Sequence, residues 1–268
     1  MIKRLLSAGV LLPVFLLIVV KAPAYLFNGL VILASALASW ELVRLFERGG
    51  RPVYSRLAVA GATLVTAAAG ASRVVDPMLL PALTVTLAVA FVLSAAVWRG
   101  TPVTEPAANT LLVILYVGWM LGFGILLHHT SPIGDELVIF VVAVTWIGET
   151  TAYLVGSTMG RHKLAPVISP RKTIEGGVAQ VVASVASAAL FGRWLLPQCG
   201  PGIVLAGGAL LGVTGQLGDL AESVIKRSVG SKDAGEMIPG HGGVLDRIDS
   251  LLFNLPTFYY FSLMTACR

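Results

Sequence analysis

Residues 219–249 hold Asp219, Glu222, Asp233, Glu236, Asp246 and Asp249, six of the chain's 14 carboxylates. Lys226, Arg227, Lys232 and Arg247 lie among them, as does the run Pro239-Gly240-His241-Gly242-Gly243. If 219–229 is helical, Asp219, Glu222, Ser223, Lys226 and Arg227 recur at i, i+3, i+4, i+7 and i+8, with Leu220, Ala221, Val224 and Ile225 opposite. One polar face then presents two carboxylates, a hydroxyl and two cations. Asp246 and Asp249, three apart, share a face of the next helix. Two carboxylate pairs on neighbouring helix ends can share one or two hard cations such as magnesium, which takes oxygen ligands and keeps positions open for phosphate. The glycines beside His241 let backbone N–H groups approach an anion, and the Lys and Arg side chains neutralise further phosphate charge. Carboxylates for metal, cations for phosphate and a Gly-rich turn are the requirements of metal-assisted phosphoryl or nucleotidyl transfer. The bland alternative is a solvated loop in which pairs such as Glu222–Lys226 support a helix end.

A second segment, 157–173, carries Arg161, His162, Lys163, Arg171 and Lys172 and no acid. It forms an anion-attracting strip in which Ser169-Pro170 reads as a turn and Thr173 as the cap of a helix starting near Ile174. Basic residues in such a loop also arise from membrane topology alone. Glu149 lies within an apolar stretch, where an acid is costly and faces a polar interior, so it is a further candidate for the cluster. Glu41, close to Arg44, reads as a snorkelling interface residue. His128 and His129 fall far from the cluster and are expected to be structural.

The elements that must position these groups follow from composition. Of the 268 residues, 56% are hydrophobic and 12% charged, about half the charge of a typical soluble domain, and mean hydropathy is +0.84. A soluble enzyme and a disordered or collagen-like chain are excluded. The expected fold is an all-α polytopic membrane protein, with about nine spans near 5–20, 26–43, 57–72, 78–98, 108–128, 137–156, 175–192, 201–218 and 250–267. The first of these imitates a signal peptide, but an uncleaved helix is expected. With the N-terminus cytosolic, 15 of the 19 Lys and Arg fall on that side, leaving only Lys21, Arg73, Arg193 and Arg268 outside. Both candidate loops are then cytosolic. Residues 1–135 read as a scaffold of helices with dimer- or lipid-facing surface, and 136–268 as the catalytic part. Cys199 and Cys267 fall near the outer face, where pairing is open to them, though two unpaired thiols are expected.

The motif itself resembles that of phosphatidate cytidylyltransferases, also called CDP-diacylglycerol synthases. It reads Ser223-x-x-Lys226-Arg227, then Lys232-Asp233-x-Gly235, then Pro239-Gly240-His241-Gly242-Gly243-x-x-Asp246-Arg247-x-Asp249. Gly218-Asp219 and the stretch from Ala152-Tyr153 to Ser169-Pro170-Arg171-Lys172-Thr173 are also similar to the family. Residues 1–145 resemble it only in hydrophobicity and span count. The resemblance implies conversion of CTP and phosphatidate to CDP-diacylglycerol and pyrophosphate, with Mg2+ and a second cation as candidates, by a homodimer in a bacterial-type inner membrane whose site faces the cytosol. It implies no nucleic-acid partner. By the same resemblance Asp219 and Asp246 are metal ligands, with Asp249 and Glu222 close by. Lys226 and Arg247 act in catalysis, and Ser223, Arg227, Lys232, Asp233, His241, Gly242 and Gly243 bind substrate. Ser169, Arg171, Lys172 and Thr173 belong to the nucleotide or lipid-phosphate pocket. The family commonly has Asp where this chain has Glu149, one methylene longer.

Two rival classes frame these expectations. A CTP-dependent lipid-alcohol kinase of polyprenol type needs the same metal and nucleotide but moves the γ-phosphoryl group. A secondary transporter would show internal repeats and midplane breaks, which the sequence lacks.

Overall fold

Apolar stretches separated by Gly, Pro and charged turns become helices. A computed structural model of the chain describes residues 13–73, 76, 79–99, 104–130, 132–235, 242–265 and 267. Among the described residues there are nine helices and one hairpin. Residues 13–21 form α1, followed by α2 (Ala24–Arg48), α3 (Ser55–Ala68), α4 (Leu79–Arg99) and α5 (Thr104–His128). Then come α6 (Gly134–Met159), β1 (Lys163–Ala165), β2 (Ser169–Thr173), α7 (Ile174–Leu195), α8 (Pro201–Ser228) and α9 (Leu245–Met264). Five of them, α2, α5, α6, α7 and α8, are long and apolar enough to cross a membrane. The chain divides into two compact units, the first Met1–His129 with Ser228–Ile248, the second Thr130–Arg227 with Asp249–Arg268.

In the first unit, α5 meets α3 at small residues. A side chain at Gly118 would stand 2.6 Å from the Ala62 Cα, so only glycine permits this approach. A π-helical turn, Ile114–Trp119, interrupts α5 at this contact, and such turns free backbone groups. The fully buried Thr66 hydroxyl lies 2.8 Å from the Gly118 carbonyl and 2.7 Å from Ser35 Oγ. His128 and His129 are structural, as expected: His128 stacks on Phe27 at 4.2 Å and His129 Nδ1 lies 2.8 Å from Ser72 Oγ.

In the second unit, α6, α7 and α8 pack through small residues, the mode that suits helices without a hydrophobic drive between them. A Cβ on Gly208 would stand 2.8 Å from the Ser184 carbonyl, and one on Gly148 would meet Ser184 Oγ at 2.5 Å. The residues suited to helix ends are where the dipole favours them. Asp135 and Glu136 open α6, Glu175 opens α7, and Lys226 and Arg227 close α8. Thr173 caps α7, its hydroxyl accepting from Gly176 N–H at 3.2 Å.

Two expectations are corrected here. Ser169-Pro170 is not a turn: it opens β2, which pairs antiparallel with β1, Lys163 opposite Thr173 and Ala165 opposite Ser169. Among the described residues, the all-α description therefore holds apart from this hairpin, whose pairing is nonlocal and leaves no period-two signature in so short a run. Cys199 and Cys267 are bonded as a disulfide rather than left as free thiols. It closes a loop of 68 residues from the α7–α8 connection to the end of α9. Replacing Cys199 with Ser is expected to lower stability by about 2–4 kcal/mol, read as a fall in the melting temperature of detergent-solubilised protein. Wild-type protein should show the matching drop on reduction, and the variant none.

Candidate active site

The expected helical continuation holds from Asp219 to Ser228, where α8 ends, and its inward face is the one the spacing marked. Glu222 and Ser223 are buried, Lys226 and Asp219 half-buried, while Val224 on the other side is exposed. Close approach of α9 is what brings a third acid to this face. A Cβ at Gly218 would stand 2.6 Å from the Asp249 carbonyl, so α8 and α9 touch through backbone where Asp249 projects. Asp219, Glu222 and Asp249 each offer a carboxylate oxygen within 4.8 Å of the other two. Glu222 is 1% and Asp249 8% exposed. Two lysines answer part of this charge: Lys226 Nζ lies 2.6 Å from Glu222, one turn away, and Lys172 Nζ lies 2.7 Å from Asp219. Three carboxylates crowded at this spacing repel one another, and two cations leave an unbalanced negative charge. All-oxygen donors with excess negative charge fit a hard divalent cation.

Beside the cluster lies a cavity of about 560 Å³, bordered by Asp219 and Glu149 on one side and by Lys163, Arg171 and Lys172 of the hairpin on another. This lies within the range typical of ligand pockets. Its room comes from small residues at the ends of α6 and α7, Ala152, Gly156, Gly160, Gly176 and Gly177. Gln180 and Gln216 supply amides to the wall, and Gln216 Nε2 donates to the Gly177 and Gly212 carbonyls at 2.9 and 3.1 Å. The cavity thus joins a carboxylate cluster to a cationic strip.

The remaining expected site residues divide as follows. Arg171, Lys172 and Thr173 border the cavity, although the Thr173 hydroxyl is engaged in capping. Ser169 lies on β2 and is not part of the lining. Arg227 Nε donates to the Ile168 carbonyl at 3.1 Å and so fastens the hairpin turn to α8. Lys232, Asp233, Gly242, Gly243, Asp246 and Arg247 belong to the first unit. There the Asp246 carboxylate accepts from Ala234 N–H at 3.2 Å and from Gly243 N–H at 2.9 Å. Gly242 takes a φ of +84°, which its lack of a side chain allows. Lys232 and Arg247 are exposed. His241 lies outside the described residues.

Two side chains went unsignalled: Gln180 and Gln216 sit in apolar stretches, and a long polar side chain within a span was the available clue. Glu41 is a correction. It does not snorkel: it is 1% exposed, and its Oε2 accepts from Leu245 N–H at 2.8 Å, at the first turn of α9. Arg44 pairs with Glu47 instead, at 3.2 Å.

In the second unit, a carboxylate cluster at the ends of α8 and α9 beside a cationic cavity is an arrangement able to hold a cation and an anion next to each other. The chain belongs to the cytidylyltransferase family, whose model matches residues 2–265. It is 43% identical over 150 residues to a phosphatidate cytidylyltransferase of Staphylococcus saprophyticus, a match covering 56% of each chain. It is 41% identical to a protein of the same name from Staphylococcus aureus, again over 56% of each. An Escherichia coli protein of uncharacterized function, YnbB, is 40% identical over 153 residues, 57% of this chain and 50% of that one. The matched stretch spans about half the length of these relatives.

Proposed function

We propose that this protein transfers the cytidylyl group of CTP to phosphatidate, forming CDP-diacylglycerol and pyrophosphate for phospholipid synthesis. The observation that carries the proposal is the carboxylate cluster Asp219–Glu222–Asp249 beside a cavity walled by Lys163, Arg171 and Lys172. The reaction joins two polyanions, so its difficulty is electrostatic and positional rather than a matter of proton removal. A phosphomonoester has a second pKa of about 6, so its oxygen is already a competent nucleophile toward the α-phosphorus near neutral pH. The site accordingly needs no histidine held by an acid.

Each residue then has a part. Asp219, Glu222 and Asp249 would hold the cation, with Asp246 and Glu149 as further candidates. When bound, a magnesium ion supplies charge neutralisation and alignment of the reacting phosphates. Lys163, Arg171 and Lys172 draw the phosphates into the cavity and hold them, which replaces a bimolecular encounter of anions by a bound pair. Lys226, locked by Glu222, is a fixed positive charge at the cluster. Arg227 keeps the hairpin, and with it the basic strip, against α8. Lys232, His241, Arg247 and the glycines beside them are assigned to the substrate phosphates through the motif.

The proposal includes orientation and assembly: a homodimer in the cytoplasmic membrane, the site facing the cytosol where CTP is, and no nucleic acid involved. Two independent features support the sidedness. Within the second unit, Arg161, Lys163, Arg171, Lys172, Lys226 and Arg227 lie at the cavity ends of α6, α7 and α8, and the Cys199–Cys267 disulfide lies beyond the other ends of α7, α8 and α9, where an oxidising compartment is expected.

Purified protein given magnesium, phosphatidate and CTP labelled at the α-phosphate should place the label in the lipid. Unlabelled lipid with label in CDP, formed on adding polyprenol, would instead assign γ-phosphoryl transfer and overturn the proposal.

A further inference from the structure

The strands of the β1–β2 hairpin line the cavity, but its turn does not. Its turn, Ala165-Pro166-Val167-Ile168, is apolar, within a segment whose every charge is positive. Val167 is 90% exposed, the most of any large hydrophobic residue among those described. Met159 at the end of α6 and Ile174 at the start of α7 are exposed as well. Arg161, Lys163 and Arg171 are exposed around them.

This turn is held rigidly. At the base of the hairpin, His162 Nδ1 lies 2.7 Å from Glu175 Oε1 and Ile174 N–H donates to the His162 carbonyl at 2.9 Å. At the tip, Arg227 holds the Ile168 carbonyl. Val167 is therefore presented outward by a fixed support.

Depth identifies the surroundings. The hairpin joins α6 and α7, both of membrane-spanning length and composition. The 26 residues of α6 extend about 39 Å at 1.5 Å per residue, against a hydrocarbon core about 30 Å thick. The end of α6 and the hairpin after it thus fall at headgroup level. An apolar tip ringed by cations at that depth has the chemistry of interfacial insertion: the apolar side chains enter the acyl boundary while Lys and Arg remain with the phosphates.

We propose that the β1–β2 hairpin is an interfacial anchor, inserting Val167 at its turn into the acyl boundary of an anionic bilayer while Arg161 binds its headgroups. The charge argues against a second copy of the chain as the occupant. In a two-fold contact the same acid-free strip would face itself, and a tip of a few residues falls well short of the roughly 1,000 Å² a stable interface needs. The anchor stands whether or not the chain transfers a cytidylyl group.

The test uses the full chain with Val167→Cys, whose thiol is the reactive one because Cys199 and Cys267 are joined. Val167 is almost fully exposed, so the substitution leaves the fold undisturbed. The thiol is labelled with an environment-sensitive nitrobenzoxadiazole probe. The protein is then reconstituted in phosphatidylcholine vesicles with about one-third phosphatidylglycerol. The expected result is strong quenching by lipids with a doxyl group near the headgroup end of the chain, and roughly threefold or more protection from aqueous iodide relative to the free cysteine adduct. Adding Arg161→Gln, or omitting phosphatidylglycerol, should reduce the doxyl quenching. Full iodide quenching without a doxyl effect would overturn the anchor. So would protection from both quenchers accompanied by concentration-dependent energy transfer between labelled copies, which would signify a contact between chains. Doxyl quenching indifferent to both Arg161 and anionic lipid would overturn the headgroup part.

Discussion

Asp219→Asn is expected to reduce cytidylyl transfer by about 10²–10³-fold, corresponding to roughly 3–4 kcal/mol of lost transition-state stabilisation at 1.36 kcal/mol per tenfold. The carboxylate is half-buried at the cavity edge and lies within 4.8 Å of Glu222 and Asp249. The amide keeps the shape and one acceptor oxygen but removes the charge that a hard cation requires. The same change should leave the fold in place. Among the described residues, the ion pair it removes is that between Lys172 and Asp219, which are 22% and 37% exposed, and pairs this accessible contribute about 0–1 kcal/mol. The measurement is turnover against magnesium concentration, beside thermal unfolding in the same detergent. Loss of activity with a rightward shift in the magnesium curve and an unchanged melting temperature is the expected pattern. Near-normal turnover would remove Asp219 from the cation site. A collapse in melting temperature would mean that the Lys172 pair is structural.

What could be read from residues alone was whatever depends on near neighbours. The run of polar residues at i, i+3, i+4, i+7 and i+8 after Gly218 identified the end of α8 and its polar face, because a helix converts sequence spacing directly into direction. Thr173 was legible as a cap because capping spans three residues. Features set by distant pairing were not legible. The hairpin depends on Lys163 meeting Thr173, and its Ser169-Pro170 start carries turn-forming residues, so the local signal points the wrong way. The disulfide required knowledge that residues 68 positions apart come together. Within the acids of 219–249, spacing alone paired Asp246 with Asp249. It also suggested that this pair could share a cation with Asp219 and Glu222, but it could not show that Asp249 is the one whose carboxylate lies within 4.8 Å of both, nor that the Asp246 carboxylate accepts from the backbone of Ala234 and Gly243. Gly218 decides the first of these, since it has no Cβ to hold the backbones of α8 and α9 apart beside Asp249.

Glu41 illustrates the same limit and leads to the second large effect. Its local neighbour, Arg44, suggested a surface pair, but its partner is 204 residues away. The carboxylate of this α2 residue accepts from Leu245 N–H, one of the orphan donors at the start of α9. Gly235 and Gly243 close over it: a Cβ at either would stand within 2.8 Å of a Glu41 oxygen. Glu41 thereby fixes both ends of the motif segment around Asp246, whose own carboxylate ties Ala234 to Gly243. Glu41→Ala should leave Leu245 N–H without its acceptor and open a void beside both glycines. A buried hydrogen bond to a charged group is worth about 1.5–3 kcal/mol. The expected outcome is a loss of turnover of about tenfold or more, with faster proteolysis within 228–248 while the rest of the chain stays protected. Glu41→Gln retains an acceptor for Leu245 and should preserve most activity, because the position calls for a hydrogen bond more than for a charge. Limited proteolysis and kcat measured on the two variants separate the cases. If alanine is tolerated as well as glutamine, the cap is not what organises this segment. If glutamine is as damaging as alanine, the negative charge itself is required, and Glu41 acts on the neighbouring cations of the motif rather than on the helix end.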